Sequence, residues 1–307
     1  MSESQFAGCH GVRVEPASQG AAFGVTSGSP LAMLALGEGP DPGAVALAGG
    51  RALWRAETAA PDGRPVANAM WCTPDGALVT VVDDHPVLWI SETRDATTVA
   101  PLGEALVLQL VSTYAAPLAA QRAGAFVLHA AAAVRDGRAL VVCAHSGTGK
   151  SSVMTALADA GWHPLTEDLL AVEIDVAGAP RAWPGPPWVR LSPGDPGPAG
   201  AAEQFRATDK IGWHVDTHWD APAPIAHLVV LEPPSAEPSV CEPMDTGPAV
   251  AAIAPHAPWY EDPDERGPAL FGHAVALTRR VPVSRLRLQR SPGWRAEAVA
   301  MLGALAG

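Results

Sequence analysis

At 307 residues, the chain is long enough for one large or two medium domains with a real core. Hydrophobic residues make up 48% and charged residues only 17%, which excludes a wholly disordered chain. A net charge of −12 at pH 7 argues against nucleic acid or an anionic membrane surface as a partner.

The start, Met1-Ser2-Glu3-Ser4-Gln5, has no basic segment followed by an apolar one, and no run reaches membrane-spanning length. Cys9, Cys72, Cys143 and Cys241 are scattered, without metal-ligand spacing. Reduced thiols and a cytoplasmic location are therefore expected. The 31 prolines and 30 glycines gather in connecting stretches and predict long ordered loops.

Residues 1–102 read as a small β-rich N-terminal domain. Strands are predicted at Val12–Val14, Ala44–Leu47, Ala52–Trp54, Leu78–Val82 and Val87–Ile90. Pro74-Asp75-Gly76 and Asp83-Asp84-His85-Pro86 carry turn chemistry. Residues 103–122 change period. Leu106, Leu110, Tyr114 and Leu118 recur every fourth position, with Val107 and Val111 beside them, as on an amphipathic helix that Pro117 kinks or splits. A second domain, 103–307, starts there.

Phe126–Val134 and Ala139–Cys143 are apolar runs joined by Arg135-Asp136-Gly137-Arg138, a β-hairpin signature. The hairpin would return His129 to the level of the segment after the second strand. That segment is Ala144-His145-Ser146-Gly147-Thr148-Gly149-Lys150-Ser151, followed by Ser152 and a helical stretch whose face holds Val153, Leu157 and Ala160, with Gly161 as the stop. The strand, glycine loop, Lys-Ser and helix come in the order of a phosphate-binding loop. Its backbone N–H groups and helix N-terminus attract phosphate, Lys150 would reach the terminal phosphates, and Ser151 would ligate Mg²⁺. The pattern G-x-x-x-x-G-K-[ST] is missed at its first position, Ala144, which is tolerable at negative φ. The alternative is a chance Gly/Ser-rich turn.

Glu167-Asp168 precede the apolar run Leu169–Ile174. They offer one carboxylate for an acceptor hydroxyl and one for Mg²⁺, or they are an acidic turn at a strand edge. Neighbours on an extended segment point opposite ways, so both can serve only if the backbone turns there. His129 is a functional or a structural histidine. Lys210, Arg190 and Arg206 are candidate phosphate or substrate cations, or solvated side chains, with Lys210 preferred. Ile225–Glu232 is another buried strand, with Glu232 a metal-ordering acid or a salt-bridged strand end. Residues 233–268 read as loop-rich, Arg279–Leu288 as a strand, and Gly293–Leu305 as a closing helix.

The series Leu128-His129-Ala130, Gly147-Thr148-Gly149-Lys150-Ser151, Gly161-Trp162 and Glu167-Asp168 resembles the HPr kinase/phosphorylase family over roughly residues 126–232. The resemblance implies an α/β (overall α+β) HPr-kinase-like P-loop kinase domain that uses ATP and Mg²⁺. Lys150 would take the phosphates; residues 145–152 and Lys210 are the nucleotide-binding candidates on the reading of the residues themselves. Glu167 with His129 would serve the acceptor hydroxyl, and Asp168 with Ser151 the metal. Glu167 replaces the usual Asp of that family, and its later Glu-Ile-Arg-Gly-type signature is absent. Pro184-Gly185-Pro186-Pro187 and Arg280-Val281-Pro282-Val283 resemble shorter kinases of peptide-tailoring clusters, lasso-peptide kinases among them. The expected acceptor is a serine of a peptide or small protein. A small-molecule kinase, a nucleotide-binding regulator or ATPase, and a degenerate binding protein are the alternatives. Oligomerisation is left open.

Overall fold

A computed structural model describes residues 113, 116–174, 179–206, 210–258, 263–289 and 291–306, with the side chains of 118, 119, 122, 204–206 and 263–266 excepted. It also describes the backbone of seven N-terminal strands: β1 (Val12–Pro16), β2 (Ala32–Gly37), β3 (Arg51–Ala59), β4 (Pro65–Cys72), β5 (Leu78–Val82), β6 (His85–Ile90) and β7 (Asp95–Thr98). These form one sheet in the order β1-β2-β7-β6-β5-β4-β3. β3 through β7 pair as antiparallel neighbours, whereas β1–β2 and β2–β7 are parallel. The predicted strand Ala44–Leu47 and turn Pro74–Gly76 lie outside the described residues. His85 opens β6 and pairs with Val82, and the expected turn residues Asp83 and Asp84 between them lie outside the described residues.

The predicted helix over 103–122 is described only as α1 (Ala116–Arg122). Pro117 stands in the first turn of this described segment, where a missing N–H costs nothing, and most of the predicted span before it lies outside the described residues. Then come β8 (Phe126–Leu128), β9 (Ala130–Arg135) and β10 (Arg138–Cys143). Asp136 and Gly137 both have positive φ, 52° and 73°. That is the geometry a two-residue hairpin turn needs, and it pairs Cys143 with Ala130.

The phosphate-loop segment leads into α2 (Lys150–Asp159). Ala160 is a correction: it caps the helix and is exposed, while Val153, Met154 and Leu157 are buried. Next are β11 (His163–Thr166) and β12 (Leu170–Glu173). The sequence hides β11 because it contains Pro164, which an edge strand tolerates. β13 (Arg181–Ala182) joins the same sheet. β14 (Trp188–Leu191), β15 (Ala202–Arg206) and β16 (Ile211–His214) make a separate three-stranded sheet in the order β14-β16-β15. A Cβ on Gly197 would fall 2.5 Å from the Trp213 ring, so the chain passes there only as glycine.

β17 (Ala223–Leu231), β18 (Val240–Pro243) and β19 (Val283–Arg287) complete the main sheet. The segment read as loop-rich also holds α3 (Thr246–Ile253) and the start of α4 (Pro263–Thr278). Pro248 in the first turn of α3, and Pro268 with Gly267 in α4, hide the helical period. α5 (Trp294–Ala306) closes the chain.

β10, β17 and β19 run parallel, and β11 and β9 extend the sheet on the far side of β10. Alternate residues along β10 face opposite layers. Ala139, Val141 and Cys143 pack with Ile253 of α3 and Leu277 of α4. Leu140 and Val142 pack with Leu157 of α2 and Leu302 of α5. Both faces are buried, which is why this strand reads as an unbroken apolar run. No helix among the described residues is long and apolar enough to cross a membrane.

Candidate active site

The carboxyl ends of the parallel strands open onto one edge of the sheet, the usual crevice of α/β folds. The loop after β10 lies in the middle of that edge. Gly147 and Gly149 adopt φ of 79° and 108°, which side-chain-bearing residues avoid. Ala144 departs from the loop pattern without strain, because Asp136 alone among described non-glycine residues has positive φ. Its methyl is buried in the core beside Val153 and Leu157.

Four further segments converge on the loop. His129 breaks the chain between β8 and β9, and pairing of Ala130 with Cys143 sets it level with the loop. Glu167 and Asp168 occupy the bend between β11 and β12. The bend removes the alternation expected of an extended pair, so both carboxylates line one cavity of about 350 Å³. Arg190 of β14, with Ser192, Asp195 and Lys210 near it, closes the other side. Lys210 Nζ donates to Ser192 Oγ at 3.3 Å. Arg206 falls on β15, and its side chain lies outside the described residues.

The contacts cross the pairing that the family resemblance implies. The Ser151 hydroxyl donates to Glu167, not to Asp168. His129 Nε2 donates to Asp168 Oδ1 at 3.0 Å, not to Glu167. The extra methylene of Glu167 gives it the reach to the helix N-terminus. Arg190 ties the two acids together, its Nε lying 3.5 Å from Glu167 Oε2 and its Nη2 bonding Asp168 Oδ2.

Lys150 is 7% exposed, and its Nζ has no hydrogen-bond partner among the described residues. Its nearest charge is Asp168 Oδ1 at 4.0 Å. Burial pushes the Lys150 pKa down, against the pull of Asp168 and Glu167. For Asp168, burial would raise the pKa. Arg190, the His129 hydrogen bond and Lys150 outweigh it and hold the carboxyl well below the usual range. Arg190 is likewise buried, yet the two acids keep it firmly protonated.

His256, after α3, supports this constellation. Its carbonyl accepts from the His129 N–H at 2.6 Å, and its ring lies 4.7 Å from that of His145. Burial, with His145, His129 and Lys150 nearby, pushes its pKa down to about 4, so it stays neutral. Nothing in the sequence pattern marks His256, Ser192 or Asp195. Arg190 carried a signal: a charged residue inside the apolar strand Trp188–Leu191. Glu232 is the salt-bridged strand end, with Arg285 Nε at 3.1 Å.

Fold and site together define an α/β protein with a glycine loop, a buried lysine and an acid pair at the ends of its parallel strands. No protein-family model matches the chain, and no curated protein matches it. Among solved structures it is similar to the Hpr(Ser) kinase/phosphatase from Coxiella burnetii. The match has 11% identity and a TM-score of 0.33, and covers 58% of this chain and 96% of that one.

Proposed function

We propose that this protein is a kinase that transfers the γ-phosphoryl group of ATP to a hydroxyl. The acceptor in this reading is a serine of a peptide or small protein. The observation that carries the proposal is Lys150. A buried ammonium without a hydrogen-bond partner costs free energy unless an anion completes it. It stands beside glycine-loop N–H groups and the N-terminus of α2, where phosphates bind.

The donor set suits Mg²⁺. Among the described residues no cluster of three His, Cys, Asp or Glu could hold a metal alone. Mg²⁺ is commonly held by one or two carboxylates together with substrate phosphates. The Ser151 hydroxyl and Glu167 would hold it, and bound there it would neutralise phosphate charge.

Asp168 then faces the acceptor. Its depressed pKa makes it a weak base but a dependable hydrogen-bond acceptor, suited to orienting a hydroxyl. His129 fixes its Oδ1. A bond forms from the hydroxyl oxygen to the γ-phosphorus as the β,γ-bridging bond breaks. ADP leaves, and the hydroxyl proton passes to the carboxylate or to solvent. Lys150 and Arg190 lie where charge would develop on the transferred group.

The peptide acceptor rests on the likeness of residues 184–187 and 280–283 to peptide-tailoring kinases. The test is ADP formation from Mg-ATP with a serine peptide and with its alanine counterpart. ADP that depends on the serine peptide supports the proposal. ADP formed equally with both identifies water as the acceptor, and an ATPase replaces the kinase.

A further inference from the structure

A second cavity, of about 280 Å³, opens on the opposite flank of the glycine loop. It shares Gly147, Gly149 and Ser152 with the acidic cavity, so the two meet across the loop. Its remaining wall comes from the ends of β17 and β19 and the start of α5: Leu231, Glu232, Pro234, Leu288, Gln289 and Trp294. The linings mark this division: of the two cavities, Glu167 and Asp168, in the bend after β11, line the first alone, and Leu231 and Leu288, at the ends of β17 and β19, line the second alone.

The chemistry of the two cavities differs. The first holds Lys150, Arg190 and Lys210. The second is lined by no lysine, arginine or histidine. A second phosphate is therefore not its occupant. Its charged wall residue is Glu232, already paired with Arg285. The Trp294 ring is held in place, with the Arg295 guanidinium 5.7 Å from its centre and Arg295 itself 3.6 Å from Asp159. Gln289 Nε2 donates to the Ala236 carbonyl at 2.9 Å, leaving its side-chain oxygen to accept.

We propose that this cavity takes the nucleoside of the nucleotide, the base lying against Trp294, Leu288 and Pro234 and the sugar hydroxyls reaching Glu232. The inference rests on the triphosphate reading of the loop. If the terminal phosphate faces Asp168, the other end of the phosphate chain leaves on the opposite flank. That end carries a flat, uncharged ring and a sugar, which match an apolar wall with acceptors at its rim.

The test is calorimetric titration with Mg-ATP and with Mg-tripolyphosphate, which has the phosphates but no nucleoside. Wild-type protein should bind ATP more tightly than tripolyphosphate. Trp294→Ala should weaken ATP by roughly five- to a hundredfold, the range for loss of base stacking, and leave tripolyphosphate within about twofold. Trp294→Phe, which retains a ring, should recover most of the ATP affinity and guards against a folding defect. Equal affinity of wild type for both ligands overturns the nucleoside cavity alone. So does a Trp294→Ala loss shared equally by both ligands, or no loss. Wild type that binds neither ligand overturns the triphosphate reading itself.

Discussion

Lys150 is a cation that folding has made expensive to keep charged. Burial lowers its pKa, and a bound triphosphate would raise it again. The sign follows by linkage: binding is strongest where free Lys150 is already protonated, and weakens as pH rises through its lowered pKa. Phosphate groups are fully ionised above about pH 8, since their last pKa is about 6. From neutral pH up to the ordinary lysine value of about 10.4, affinity for Mg-ATP should therefore fall as pH rises, and Lys150→Ala should bind weakly with no such fall. Titrations across this range check it, and a flat wild-type profile would remove Lys150 from the phosphates. Glu167 is a separate matter. Glu167→Gln keeps the size but loses the charge beside Ser151, so half-maximal activity should need roughly tenfold more Mg²⁺, the loss of one charged ligand contact. An unchanged Mg²⁺ requirement would place the metal elsewhere. His129, Lys150 and the acid pair were legible in the sequence because motif order constrains them. Which acid meets which partner was not, because that depends on a bend between two short strands.

At the scale of elements, the loop depends on glycine where the backbone turns left-handed. Gly149 sits at φ 108° as the N-cap of α2, and a Cβ placed on it would meet nothing within 4 Å. Gly149→Ala should thus cost about 1–2 kcal/mol of backbone strain rather than steric clash. Denaturant unfolding measures this, and a variant as stable as wild type would show that the loop relaxes freely. The β8–β9–β10 hairpin and α2 were readable because local turn chemistry and apolar period agree there. α3 and α4 were not readable, since Pro248, Gly267 and Pro268 look like breaks, and tertiary packing of Ile253 and Leu277 overrides them. β11 escaped for the same reason, with Pro164 tolerated at the sheet edge.

Across the whole molecule, burial lowers the pKa of four histidines among the described residues, His218, His227, His256 and His273, and two of them are pushed down furthest. His218 Nε2 donates to the Leu165 carbonyl at 3.0 Å, tying the segment before β17 to β11, and burial lowers its pKa to about 4. His256 shows the same value beside the loop. Unfolded histidine titrates at about 6.5, so the unfolded chain binds more protons between about pH 4 and about 6.5. Stability should be full above about pH 6.5 and fall as pH drops toward about 4, and Asp168 adds its own loss only below about 3.9. Melting temperatures from about pH 7.5 to about 4.5 test this, and His218→Asn should flatten the curve. A midpoint independent of pH would mean that the two rings are solvated.

In the proposed reading, phosphates take the centre, with an acceptor-facing acid on one side and a nucleoside cavity on the other. Its central claim concerns Asp168. The direct measurement is single-turnover transfer of the labelled γ-phosphate from saturating Mg-ATP to a serine peptide, in wild type and Asp168→Asn. Misplacing a reacting group by about 1 Å can cost about 10²-fold, so the variant should lose transfer on that scale while its Mg-ATP affinity changes only a few-fold. Transfer at the wild-type rate in Asp168→Asn, or label that never leaves ATP in the wild type, would contradict the account.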